Sequence, residues 1–116
     1  MPINRGTTIK SLTIENGEAL SEAFDMAIHA GATILMPAAW TAANIGFKVC
    51  ARSDGTFLPL YDDSGSIVEV SAAASKAFAA PAELYGAAWV KLWSQNGSGS
   101  DTNQGADRTI TVLLKS

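Results

Sequence analysis

Between residues 36 and 61 the chain reads MPAAWTAANIGFKVCARSDGTFLPLY, and this stretch constrains the fold more than any other. From residue 44 to residue 52 polar and apolar positions alternate. Ile45, Phe47, Val49 and Ala51 share one face, and Gly46, Lys48, Cys50 and Arg52 share the other. That is the period of a half-buried strand. Ser53, Asp54 and Gly55 follow, and an Asp-Gly pair supplies the positive φ of a tight hairpin, so residues 56–61 are expected to return antiparallel. The stretch is read as a central hairpin.

The same logic extends along the chain. Residues 7–15 alternate, with Leu12 and Ile14 opposite Thr13 and Glu15, and Asn16-Gly17 then marks a turn. Residues 18–28 fit either a helical stripe or a strand, and strand is preferred because Phe24, Met26 and Ile28 alternate with Asp25 and Ala27. After Gly31 a short apolar strand spans residues 33–36 and ends at Pro37. Residues 37–43 connect to the central hairpin and bring Trp40 to the end of the core.

Beyond the hairpin, Asp62-Asp63-Ser64-Gly65 is a turn and Ile67, Val68 and Val70 open another strand. The alanine-rich residues 71–80 are read as a strand through Phe78 despite their helical propensity, because turns recur about every 8 to 12 residues, as in β-sandwiches. Residues 81–85 fit one helical turn started by Pro81 and stopped at Gly86. Two further strands, at residues 87–94 and 108–115, flank a long polar loop over residues 95–106 of the kind that is mobile or orders on a partner. The expected fold is all-β, an antiparallel sandwich of about eight strands with jelly-roll-like character. A barrel or an immunoglobulin-like arrangement accommodates the same strands. Residues 1–6, with Pro2 and Gly6, are expected to form a flexible arm ahead of a single domain at residues 7–116.

Composition bounds the chemistry. The 116 residues suffice for one core, and 47% are hydrophobic, but many of these are alanines, so a few large side chains must fill the interior. A net charge of −3 with eight dispersed basic residues argues against nucleic acid as a partner. No apolar run approaches the roughly 20 residues a membrane span requires, and no signal-peptide layout opens the chain, so a soluble protein made in a cytoplasm is expected. Cys50, the single cysteine, cannot form an internal disulfide.

No catalytic signature is present. His29 is the one histidine and lacks a flanking motif, so it is read as a turn residue rather than part of a triad, and a zinc site lacks ligands. Asp62 to Gly65 is a faint calcium pattern without the spacing of an EF-hand loop, and turn chemistry explains it. Asp54, Asp62 and Glu69 offer carboxylates, as any β protein with acidic turns does. Gly97 to Ser100 lack the lysine of a phosphate loop. Neither enzyme activity nor a metal or other cofactor is expected.

Aromatic residues carry the remaining signal. Trp89, Lys91 and Trp93 project from one side of their strand while Val90 and Leu92 fill the core-facing side. Trp93 is read either as covered by a loop or as a surface for a partner or a stacked sugar, and Trp89 as core or subunit contact. Trp40 and Trp93 together are the candidate ligand surface.

Three segments, FKVCARSDGTFLPLYDDSG, PAELYGAAWVKLWSQN and QGADRTITVLLKS, together with MPAAWTAA, resemble a group of small proteins encoded near the head and tail genes of tailed bacteriophages. The resemblance covers residues 20–115 and is most specific at residues 36–41 and 104–108. It implies a virion structural protein. A shorter likeness, from Phe47 through Phe57 and again at Trp89 to Leu92, is to galactose-binding-like jelly rolls. On this basis the chain is expected to be a capsid decoration or cement protein, with the major capsid protein or other virion proteins as partners and a homo-oligomeric state, a trimer among the options. The expected contacts are Trp89, Lys91 and Trp93, with Ile3, Arg5 and Ile9 of an arm that adds to a neighbour's sheet edge. A virion-displayed carbohydrate-binding module, or a tail or head-tail connection component, is the alternative.

Overall fold

The computed structural model of the protein describes residues 6–115. Ile3, Arg5 and all of the expected arm except Gly6 lie outside the described residues. Nine strands occur among the described residues, β1 (Thr7–Ile14), β2 (Leu20–Asp25), β3 (Gly31–Leu35), β4 (Asn44–Cys50), β5 (Leu58–Pro59), β6 (Glu69–Val70), β7 (Ala77–Ala79), β8 (Trp89–Gln95) and β9 (Arg108–Lys115). One 3₁₀ turn, Ala82–Gly86, sits where Pro81 and Gly86 predict it.

The strands form two antiparallel sheets, ordered β1-β9-β3-β7 and β2-β8-β4-β5, with β6 pairing the start of β4. This order has a simple origin. β1 pairs β9, β2 pairs β8, β3 pairs β7 and β4 pairs β5, so the chain is one long nested hairpin with β4 and β5 at its tip. Rolling that hairpin brings β9 beside β3 and β8 beside β4, which yields the two sheets of a jelly roll. The central hairpin of the sequence is therefore the tip of the roll.

The core lies between the sheets. Leu12 and Ile14 of β1, Ile34 of β3, and Ile110, Val112 and Leu114 of β9 meet Phe24, Ile45, Phe47, Val90 and Leu92 from the other side, all essentially without solvent exposure. Alternation in β1, β4, β8 and β9 thus assigns the inner face correctly. Ile9, expected as a contact of the arm, instead belongs to β1 and pairs with Leu113 of β9.

Two local expectations change. Gly55 does not take a positive φ, which among the glycines occurs at Gly17, Gly65, Gly97 and Gly99 instead. The loop between Val49 and its partner Leu58 is too long for a two-residue turn, and Gly55 instead leaves room for Cys50 Sγ, which a Cβ at position 55 would displace. The loop after β8 is also tied into the fold. Gln104, 1% exposed, accepts from the Thr41 amide (2.9 Å) and donates to the Thr41 carbonyl (3.1 Å) and Ser94 Oγ (2.8 Å). It clamps the connection ahead of β4 to the segment ahead of β9.

Replacing Gln104 with leucine leaves those buried groups without partners, so Gln104→Leu is expected to lower unfolding free energy by about 2 to 4 kcal/mol. Urea denaturation followed by circular dichroism checks this.

Candidate functional site

A sandwich has two outer faces on which a partner or ligand can act, and here they differ. On the β2-β8-β4-β5 sheet the outward positions include Trp89, Lys91 and Trp93 of β8 and Gly46, Lys48 and Cys50 of β4. Across the pair, Trp93 faces Gly46, Lys91 faces Lys48 and Trp89 faces Cys50.

The chain itself encloses Trp93, which is 1% exposed. Its indole N–H donates to Asp101 Oδ1 at 2.7 Å, and Lys48 Nζ stands 4.8 Å from the ring centroid. Beneath it Gly46 leaves room for the ring, since a Cβ there would lie 2.9 Å from Trp93 Cε3. The loop that covers it is folded by its own polar groups: Asn96 N–H donates to the Ser100 carbonyl (3.0 Å), Gly97 N–H to Gln95 Oε1 (2.6 Å) and Ser98 N–H to Asn96 Oδ1 (2.8 Å). The polar loop orders on this chain's own tryptophan. Trp93 is therefore corrected from a candidate ligand or partner surface to a sealed anchor, because burying its large ring and satisfying its N–H stabilises more than exposure would.

Lys48 and Lys91, directly opposite each other, would repel. Each ammonium turns to a different ring, Lys48 to Trp93 and Lys91 to Phe57 at 4.7 Å, so the pair diverges rather than converging on an anion. Trp89 is half-buried at the end of this face. Beside it an open groove of about 430 Å³ is lined mostly by apolar side chains, among them Val49, Leu58 and Ala87, with Thr56 and Cys50 at its wall. Trp40 donates its indole N–H to the Ala43 carbonyl (3.1 Å) and packs on the core, so Trp40 and Trp93 form no shared platform.

The outer face of the β1-β9-β3-β7 sheet is bare by comparison. Register aligns Ile9, Leu113, Thr33 and Ala79 in one row across all four strands, and Ser11, Thr111, Leu35 and Ala77 in the next. Thr13 and Thr109 continue it, joined through their hydroxyls at 3.1 Å. Lys115 is the one charged side chain on these rows, at the rim, where it donates to Thr7 Oγ1. Ile9 is 65% exposed. An uncharged face of threonine and aliphatic side chains can exclude water against a flat partner while keeping hydroxyl hydrogen bonds. The sequence pattern places Thr109, Thr111 and Leu113 on one face, and their lack of charge was the available signal.

Remaining candidates are structural. Asp62 Oδ1 accepts from the amides of Ser64 and Ser66 and from Ser64 Oγ, each at 2.9 Å, so turn chemistry occupies the faint calcium pattern. His29 sits in a turn, its amide donating to the Met26 carbonyl at 3.1 Å. No group of three or more His, Cys, Asp or Glu side chains suited to a metal ion occurs among the described residues.

No protein-family model matches the chain, and no curated protein matches it. Among solved structures it is similar to the SPBc2 prophage-derived protein YomS, at 13% identity and a TM-score of 0.57, with 100% of each chain covered. That likeness is one of fold.

Two outcomes follow. Gly46→Ala, which pushes a methyl group against Trp93, is expected to cost about 1 to 3 kcal/mol and to shift the Trp93 indole N–H resonance. The Ser66 amide, with the Ser64 hydroxyl and amide, holds the Asp62 carboxyl below its ordinary value of 3.8. A lowered folded-state value means this contribution is present above the unfolded value and is lost as pH falls through the folded one. An NMR titration is expected to place Asp62 below 3.8 and to show the Ser66 amide shifting with it.

Proposed function

We propose that this chain is a non-enzymatic structural protein of a phage particle, a capsid decoration or cement protein that docks on the major capsid lattice. The reading is carried by one observation: the outer face of the β1-β9-β3-β7 sheet presents threonine and aliphatic side chains with a single charge, Lys115, at its rim, while on the opposite outer face a loop of the protein itself covers Trp93. A cement protein works by burying such a face between neighbouring subunits, so its contribution scales with area and fit rather than with any reactive group. Two likenesses support it. The sequence resembles small phage head and tail gene products, and the fold is shared end to end with a prophage-derived protein. Residence in the virion follows from the same proposal.

The carbohydrate-binding alternative rests on exposed indoles, and enclosure of Trp93 removes its best platform. A glycan array separates the two: sugar binding by the intact domain, lost in Trp93→Ala with the fold retained, would favour the carbohydrate module.

Quantitative mass spectrometry of purified particles from the encoding phage is expected to find the chain at a fixed ratio to the major capsid protein. Placing a carboxylate on the docking face by Leu113→Asp is expected to reduce occupancy at least ~10-fold without changing the melting temperature, because a buried unpaired charge is costly. Particles that lack the chain, or that take up Leu113→Asp as well as the parent, would overturn the proposal.

A further inference from the structure

Strand β1 lies at the edge of its sheet, paired with β9 through an unbroken register from Thr7 to Ile14, and among the described residues no strand pairs with its other side. The direction of its free groups can be read from one hydrogen bond. The Thr13 amide donates to Glu22 Oε1 at 2.8 Å, so it points away from β9. In an antiparallel ladder alternate residues direct both N–H and C=O to the same side, so Thr7, Ile9 and Ser11 also present theirs outward. Glu22 closes the edge at Thr13. Upstream of it the edge is open.

Natural edge strands are blunted by proline, bulges, very short length or covering elements. Within Thr7–Ile14 there is no proline and no register shift. Lys10 is its sole charge, and its parity is that of the core-facing residues Leu12 and Ile14, not of the open backbone groups. All five residues from Thr7 to Ser11 are exposed on both faces. At the opposite edge of the same sheet β7 spans three residues, too short to serve as the complementary edge. The strand that matches β1 in length, direction and exposed groups is β1 of another copy.

We propose that two copies of this chain pair through β1 around a two-fold axis at Ile9. Thr7 then lies opposite Ser11 of the second copy and Ile9 opposite its counterpart, giving about six main-chain hydrogen bonds from three residues on each strand. Charge selects this register. Centred on Ile9, each Lys10 faces Thr8 of the second copy, whereas a shift toward Lys10 sets the two ammoniums face to face. A shift toward Ser11 requires the Thr13 amide that Glu22 already holds. A shift toward Thr8 sets Ser11 opposite position 5, outside the described residues, and of the outward residues keeps only Thr7 and Ile9 paired among them. The product is an eight-stranded sheet in which the two outer faces become continuous across the Ile9 rows. This pairing stands independently of the phage reading, because a dimer in solution needs no particle.

Sedimentation equilibrium of the full chain tests it. A strand-edge contact of this size is weak, so the mass is expected to rise with concentration from 12.1 kDa toward twice that value over the range up to about 1 mM. Ile9→Pro removes an outward N–H but no bond to β9, and is expected to remain monomeric at every concentration with an unchanged circular dichroism spectrum. In a Cys50→Ala background, Ile9→Cys is expected to give a disulfide-linked dimer on mild oxidation, since facing residues in such a pair sit about 5.5 Å apart, and Thr13→Cys is expected not to. A chain that stays at 12.1 kDa throughout, a trimer, or equal cross-linking from positions 9 and 13 would each overturn the proposal.

Discussion

The sandwich depends on β8 and β9, because each is an interior strand of its sheet and pairs along both edges with strands from the first half of the chain. β9 holds β1 on one side and β3 on the other, and β8 holds β2 and β4. Between them these two strands supply Val90, Leu92, Ile110, Val112 and Leu114 to the core. The amino-terminal strands of the two sheets gain their ladder partners only when the last third of the chain arrives. Long loops must close before those contacts stabilise anything, so the topology implies slow, cooperative formation rather than stepwise addition of hairpins.

That arrangement also explains why the two outer faces are covered differently. β8 and β4 are followed by the loops that fold back over their own sheet, through Asp101 and the indole in one case and Phe57 and Lys91 in the other. Protein-derived cover therefore accumulates on one side. The other side keeps a patch of threonine and aliphatic side chains whose burial is available to a partner.

Much of this was legible in the residues themselves. Period-two alternation identified the strands and their inner faces at β1, β4, β8 and β9, and Asn16-Gly17 and Asp62 to Gly65 marked turns that the backbone takes, with positive φ at Gly17 and Gly65. Strand order was not legible, because alternation says which way a side chain points and nothing about its neighbour in the sheet. The same limit left Trp93 open between loop cover and a partner surface. Its outward direction was correct, but its cover comes from Asp101, Lys48 and Gly46, which the roll brings together from separate strands and a loop. Gly55 was misjudged for a related reason, since the constraint there is the Cys50 sulfur and not the turn's own dihedral angles.

At the centre of this account is the claim that the protein acts through the bare face of the β1-β9-β3-β7 sheet and not through the tryptophan-bearing face of the other. A cryo-EM map of the intact phage particle, with this chain resolved in place, tests that most directly. The account predicts Leu113, Thr111 and Leu35 buried against neighbouring protein while the loop over Trp93 faces solvent. A map in which that loop makes the contact and the threonine rows face water would contradict it.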